Sequence, residues 1–175
     1  MLLTRLSSVT TGAVLAAALL LPSPGTVLAE DGKFSARLRG FREVPSISTT
    51  GTGSFRATLS PDGLTVTYTL THSDLTAPVT QSHIHFGETH TNGAIMVFLC
   101  QTVSNPDPTG LAPTCVNSGS VEGSITAANI IQAGTQGIVA GEYDEFLLAL
   151  QGGAGYVNVH TTAFGSGEIR GQVSQ

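Results

Sequence analysis

Tryptophan is absent from this 175-residue chain, cysteine occurs twice, and only 11% of residues are charged, against roughly 25% in ordinary globular domains. Cations are the scarcest of all. Seven Lys+Arg stand against 12 Asp+Glu, for a net charge of −5, and the few arginines are scattered. Nucleic-acid binding needs clustered cations that displace counterions from phosphates, so nucleic acid is excluded as a partner. Disorder is excluded as well, because 41% hydrophobic residues with so little charge supply apolar surface to bury. The common catalytic signatures are also missing. Without a GxSxG elbow, phosphate loop, HExxH or dinucleotide fingerprint, nucleophilic hydrolysis and cofactor redox have no residues to rest on. Glu142, Asp144 and Glu145 do cluster, but they sit where a helix begins, and the positive end of a helix favours carboxylates. No catalytic residue is assigned.

One apolar run is long, and it lies at the start. Arg5 supplies a positive n-region, residues 13–21 an apolar h-region, and Val27-Leu28-Ala29 a small-residue cleavage site before Glu30. Residues 1–29 therefore read as a secretory signal peptide and residues 30–175 as a single domain. The run is shorter than the roughly 20 residues that span a bilayer, and Pro22 and Pro24 break it. No membrane span is expected after cleavage, and the product is secreted or periplasmic. Exported thiols meet an oxidising environment in which two cysteines pair. Cys100 and Cys115 would then staple a loop rich in Asn, Asp, Pro, Thr and Gly. The alternative, a thiolate ligand or nucleophile, finds no CxxC pair or neighbouring histidine.

A periodicity of two dominates the rest. Phe34, Ala36 and Leu38 alternate with polar residues, as do Phe55, Ala57 and Leu59, and Leu64, Val66, Tyr68 and Leu70. Such alternation places the apolar set on one face of a strand. Ser60-Pro61-Asp62-Gly63 between the second and third runs suits a tight turn, which makes a β-hairpin. Further short strands are expected at 83–86, 94–99, 118–125, 156–161 and 168–173. Residues 127–133, capped by Thr126, and residues 143–150, with Phe146, Leu147 and Leu150 on one side before Gly152-Gly153, have helical spacing. Segments 71–80 and 101–117 are the expected irregular stretches. The fold class is all-β: an antiparallel, Greek-key-like β-sandwich or small barrel of 7–9 short strands with one or two short connecting helices.

His83-Ile84-His85 is the strongest chemical signal. Positions i and i+2 of a strand share a face, so both imidazoles point the same way while Ile84 and Phe86 enter the core. Two imidazoles about 7 Å apart along the backbone can chelate one ion of borderline softness, such as Zn or Cu. In Tyr156-Val157-Asn158-Val159-His160-Thr161 the valines take the core side, leaving Asn158 and His160 on the other. His160 is the third candidate ligand and Asn158 an outer partner that orients an imidazole. His90 is a weaker candidate, and His72, like it, falls in a loop-like context. The competing account makes these histidines polar residues that hydrogen-bond neighbouring strands. In Gly167-Glu168-Ile169-Arg170-Gly171-Gln172, Glu168, Arg170 and Gln172 share a face, and Arg170 is the only cation after Arg56. A lone guanidinium is expected beside a carboxylate, with Glu168, Glu43 and Glu88 as candidates. A structural ion pair and an anion clamp are its two readings.

Glu43-Val44-Pro45, His83-Ile84-His85-Phe86-Gly87 with Asn92-Gly93, the Tyr156 to Thr161 motif and the Gly167 to Gln172 motif occur in an order that resembles the CHRD domain. That family is named after the repeats of chordin and is common in exported microbial proteins. The resemblance covers about residues 33–173, with Ser46 where the family has a second proline. It implies an extracellular binding role, because in chordin the domain belongs to an antagonist of growth factors. A more distant similarity is to copper/zinc superoxide dismutases, β-sandwiches in which a strand-borne His-x-His and a later Val-x-His supply copper ligands. His83, His85 and His160 match the copper half of that pattern. Only His90 offers a counterpart to the remainder.

Two readings of function follow. The leading one is a secreted, non-catalytic binding module for an extracellular protein or envelope component. The alternative is a His-based Cu/Zn metalloprotein of dismutase-like kind, in which the nitrogens of His83, His85 and His160 converge within about 4–5 Å.

Overall fold

Strict alternation builds the first three strands of the computed structural model, which describes residues 32–175; the leader read at 1–29 lies outside them. In β1 (Lys33–Arg39) Phe34, Ala36 and Leu38 are buried and the residues between them exposed, because successive side chains of extended backbone take opposite faces. β2 (Thr52–Leu59) turns Phe55 and Ala57 inward, and β3 (Val66–Ser73) Val66, Tyr68, Leu70 and His72. The turn between them is held by Asp62, whose Oδ1 accepts from the Leu64 N–H at 3.1 Å. Leu64, expected to open the third strand, is exposed in that turn. His72 lies in β3 rather than in a loop.

The remaining strands are β4 (Val79–Phe86), β5 (Ile95–Cys100), β6 (Gly119–Ile125), β7 (Gly155–Thr161) and β8 (Ile169–Gln172). β4 starts earlier than the sequence suggested, because an irregularity between Val79 and Gln81 restores its register with β7. All eight pair antiparallel in one sheet of order β5-β4-β7-β8-β1-β2-β3-β6. The sheet curls until its two edges approach. Across the gap the Tyr68 hydroxyl donates to the Leu99 carbonyl at 2.7 Å, and Ile131 N–H donates to Met96 O at 2.9 Å. Of the two architectures open from sequence, the nearly closed barrel is the one adopted. Its interior is one apolar cluster running from Phe34 and Phe55 to Ile84, Leu99 and Val159.

A helix packs its apolar side against this cluster. In α1 (Tyr143–Gln151) Phe146, Ala149 and Leu150 are buried with i, i+3, i+4 spacing, and Asp144 and Glu145 occupy its first turn. The other expected helix shortens to a single 3₁₀ turn, Ala127–Asn129. There Asn129 Oδ1 accepts from both the backbone and the hydroxyl of Thr126, and the following backbone turns to cover the β5 edge instead of continuing the helix. Among the described residues no helix is long and apolar enough to cross a membrane.

Cys100 and Cys115 form a disulfide that closes a 15-residue separation beneath the long segment 101–118. Closing a loop of that size restricts the unfolded chain by about 3 kcal/mol. Urea unfolding with and without reductant is expected to differ by about that amount; equal midpoints would show that the loop entropy is recovered elsewhere.

Candidate metal centre

The outer face of β4, β7 and β8 departs from the pattern of the other strands. Ile84, Val157 and Val159 face the interior as expected. The alternate residues should then face water, yet His83 is 0% exposed, His85 9%, Asn158 3%, His160 6% and Arg170 2%. Loops roof this face. The Gly93 carbonyl lies 2.8 Å from His85 Nδ1 and the Gly165 carbonyl 3.0 Å from His160 Nδ1. Segment 87–93 is tied in turn to the 43–47 corner by Asn92 Nδ2, which donates to Val44 O. Gly93 is a glycine for steric reasons: a Cβ there would run into the Phe86 carbonyl.

Strand register gathers the imidazoles. His83 sits opposite Asn158, His85 opposite Tyr156, and His160 opposite Gln81. One coordinating atom from each of His83, His85 and His160 lies within 4.8 Å of the others. The backbone carbonyls fix the tautomers, since a carbonyl only accepts. His85 and His160 carry their protons on Nδ1, so each Nε2 keeps its lone pair. The Nε2 of His85 and that of His83 are buried without a partner. His160 Nε2 lies 3.2 Å from His83 Nδ1 and 3.0 Å from Asn158 Oδ1. A separation of 3.2 Å is close to the edge of a tetrahedron whose corners lie about 2.0–2.1 Å from a central ion.

Burial keeps the three rings neutral. It drives His83 down to about 2, helped by its two histidine neighbours, and His85 down to about 4 against the opposing pull of the Gly93 carbonyl. It lowers His160 as well, again against a backbone carbonyl. Neutral imidazole is the form that ligates, and three nitrogens without a thiolate suit Zn or Cu. The residues fit such an ion.

Aromatic contacts fix the rings. His83 meets Phe98 edge-on at 4.3 Å, and His85 stacks on Tyr156 at 4.7 Å with planes 2° apart. The Arg170 guanidinium lies 3.4 Å above the Tyr156 ring. Arg170 was expected beside a carboxylate. Its guanidinium donates instead to the carbonyls of Glu88 and Thr91 and to Asn92 Oδ1, while Glu43 attracts it only at longer range. Glu168 points elsewhere, into a nest of threonines: Thr49 and Thr76 donate to its Oε1, and Thr161 to its Oε2. Glu43 is buried with Oε1 unpartnered, and burial raises it to about 7 against the pull of Arg170.

These residues carry the motifs of one family. Residues 34–173 match the family model of the CHRD domain. The chain belongs to the CHRD family. No curated protein and no solved structure matches it. Within this CHRD domain the motif residues Glu43, His83, His85, Asn158, His160 and Arg170 converge on the layer between sheet and roof. His90 does not join them: it is exposed, with φ of +68°, and borders a cleft with Arg42 and Gln172 that Arg170 also lines. Tyr156 is the participant that the sequence reading passed over, although its i, i+2, i+4 spacing with Asn158 and His160 puts all three on one face. A cleft of about 510 Å³ lies over Arg56, Thr67 and Glu122 on the outer face of β2, β3 and β6, away from this chemistry.

Proposed function

We propose that this CHRD domain binds one copper or zinc ion on His83, His85 and His160 and does so outside the cytoplasm. The observation that carries the reading is the convergence of three buried, neutral imidazoles, two of which keep an Nε2 with no hydrogen-bond partner. Leaving such atoms unpaired is costly, and an ion shared by the three rings offers them a partner. Export is supported by the leader at 1–29 and by the Cys100–Cys115 bridge, which suits an oxidising compartment. Of the two functions drawn from the sequence, metal binding is the one this geometry favours. The binding of an extracellular protein or envelope component has no comparable site among the described residues. A bound copper ion would supply one-electron chemistry, and zinc a Lewis acid. The chain's own part is to hold the three rings in place, with His85 and His160 in fixed tautomers, and to keep water from them.

Metal analysis of the exported, purified domain tests the proposal. One equivalent of Cu or Zn is expected, and none in a triple His83→Ala, His85→Ala, His160→Ala variant. Ion at a hundredfold excess over Kd should stabilise the wild type by about 2.7 kcal/mol and leave the variant unmoved. A metal-free protein whose unfolding ignores added Cu and Zn would refute it.

A further inference from the structure

Beside the three imidazoles stands a fourth group with the wrong polarity for its neighbours. Asn158 Oδ1 lies 3.0 Å from His160 Nε2. His160 carries its proton on Nδ1, toward Gly165 O, so an oxygen lone pair meets a nitrogen lone pair inside a buried layer. Asn158 also lies within reach of the His85 ring. Turning the amide over would offer an N–H to His160, and its far side opposes that once Glu43 is ionised. A Cβ on Gly167 would strike Glu43 Oε1 and come within 2.9 Å of Asn158 Nδ2. The glutamate carboxyl and the amide nitrogen therefore crowd over this glycine, which also holds φ at +123°. Glu43 Oε1 is buried and lacks a hydrogen-bond donor. A flipped amide would carry its own oxygen to the side where the ionised Glu43 carboxylate lies, whereas the amide as it stands keeps Oδ1 toward the histidines. A cation placed among the four atoms removes the conflict.

We infer that Asn158 is a metal ligand through Oδ1, completing a three-nitrogen, one-oxygen site with His83, His85 and His160. The inference rests on the histidine reading and goes further, because it fixes the fourth position. A centre with four protein ligands is closed, and a catalytic centre keeps one position for water or substrate. External ligands reach this ion only by displacing the amide or expanding the coordination.

Electron paramagnetic resonance of the Cu(II)-loaded full-length domain tests this without altering the chain. The wild type is expected to show no strongly coupled exchangeable protons from bound water, and its spectrum should stay unchanged in millimolar azide. Asn158→Ala should gain both the water couplings and the azide response, with copper affinity about ten- to hundredfold weaker. Asn158→Asp, which keeps the oxygen, should stay closed to azide. Bound water in the wild type, together with an Asn158→Ala spectrum identical to it, would remove Asn158 from the ligand set while leaving the three histidines in place. A wild type that takes up no copper would end both readings. Should Asn158→Ala fail to fold, the wild-type water and azide measurements decide alone.

Discussion

Glu168→Ala is expected to cost about 3–5 kcal/mol of stability, read as a loss of urea midpoint at unchanged slope. The carboxylate is 0% exposed and has no cation against it. Thr49 Oγ1 donates at 2.6 Å, Thr76 N–H and Oγ1 each at 2.8 Å, and Thr161 Oγ1 at 2.8 Å. Hydrogen bonds to a charged acceptor are worth about 1.5–3 kcal/mol each, and removing the acceptor strands four donors at once. The bonds also join three places distant in sequence: the loop before β2, the link from β3 to β4, and the β7–β8 corner. The first of these loops also carries Glu43, and the last carries Gly165, which holds His160. Glu168→Gln keeps one carbonyl oxygen but turns an amide toward hydroxyl donors, so a smaller loss of about 1–3 kcal/mol is expected. Metal affinity should fall along with stability in both variants. An Ala variant within about 0.5 kcal/mol of the wild type, the usual range of surface substitutions, would show that the threonines find other acceptors.

Much of the barrel could be read from alternation, because the inward positions of β1, β2 and β3 repeat every two residues. Placing His83, His85, Asn158 and His160 on one face followed from the same rule. The rule did not reveal that this second face is itself covered. Period two reports which side chains share a side, and the cover comes from loops whose carbonyls, at Gly93 and Gly165, carry no sequence signature. Arg170 illustrates the limit. Its charge suggested a carboxylate, but its partners are the neutral Asn92 Oδ1 and main-chain oxygens of Glu88 and Thr91 that any residue types could supply. Glu168 was paired with the wrong chemistry for a related reason: its donors are hydroxyls up to 119 positions away, and threonine is too common on strands to stand out. The choice between sandwich and barrel was equally closed to sequence, since it depends on whether the β5 and β6 edges meet.

The metal-free domain is expected to lose stability steeply on mild acidification. Burial lowers His72, His83, His85 and His160 below the ordinary histidine value of 6.5. Below pH 6.5 the unfolded chain therefore takes up protons that the folded one refuses, and folding stability falls as pH falls toward the depressed folded values. Glu43 acts in the opposite sense. Raised from 4.5 to about 7, it keeps its proton in the fold between those values, so its contribution is lost as pH rises. Several imidazoles against one carboxyl leave a net one to three protons, about 1.4–4 kcal/mol per pH unit near pH 5. That is a large share of the roughly 5–15 kcal/mol available to a domain. Glu168, whose hydrogen bonds outweigh burial and hold it below 4.5, adds a further loss at the acid end. Denaturant unfolding of the metal-free protein between pH 4.5 and 8 checks the slope. A flat profile would mean that the rings are solvated despite their burial. Glu43→Gln should steepen the acid limb and raise stability at pH 8, because it replaces a buried charge with a neutral group of the same shape. A loss at pH 8 would instead mean that the carboxylate's attraction to Arg170 outweighs its desolvation.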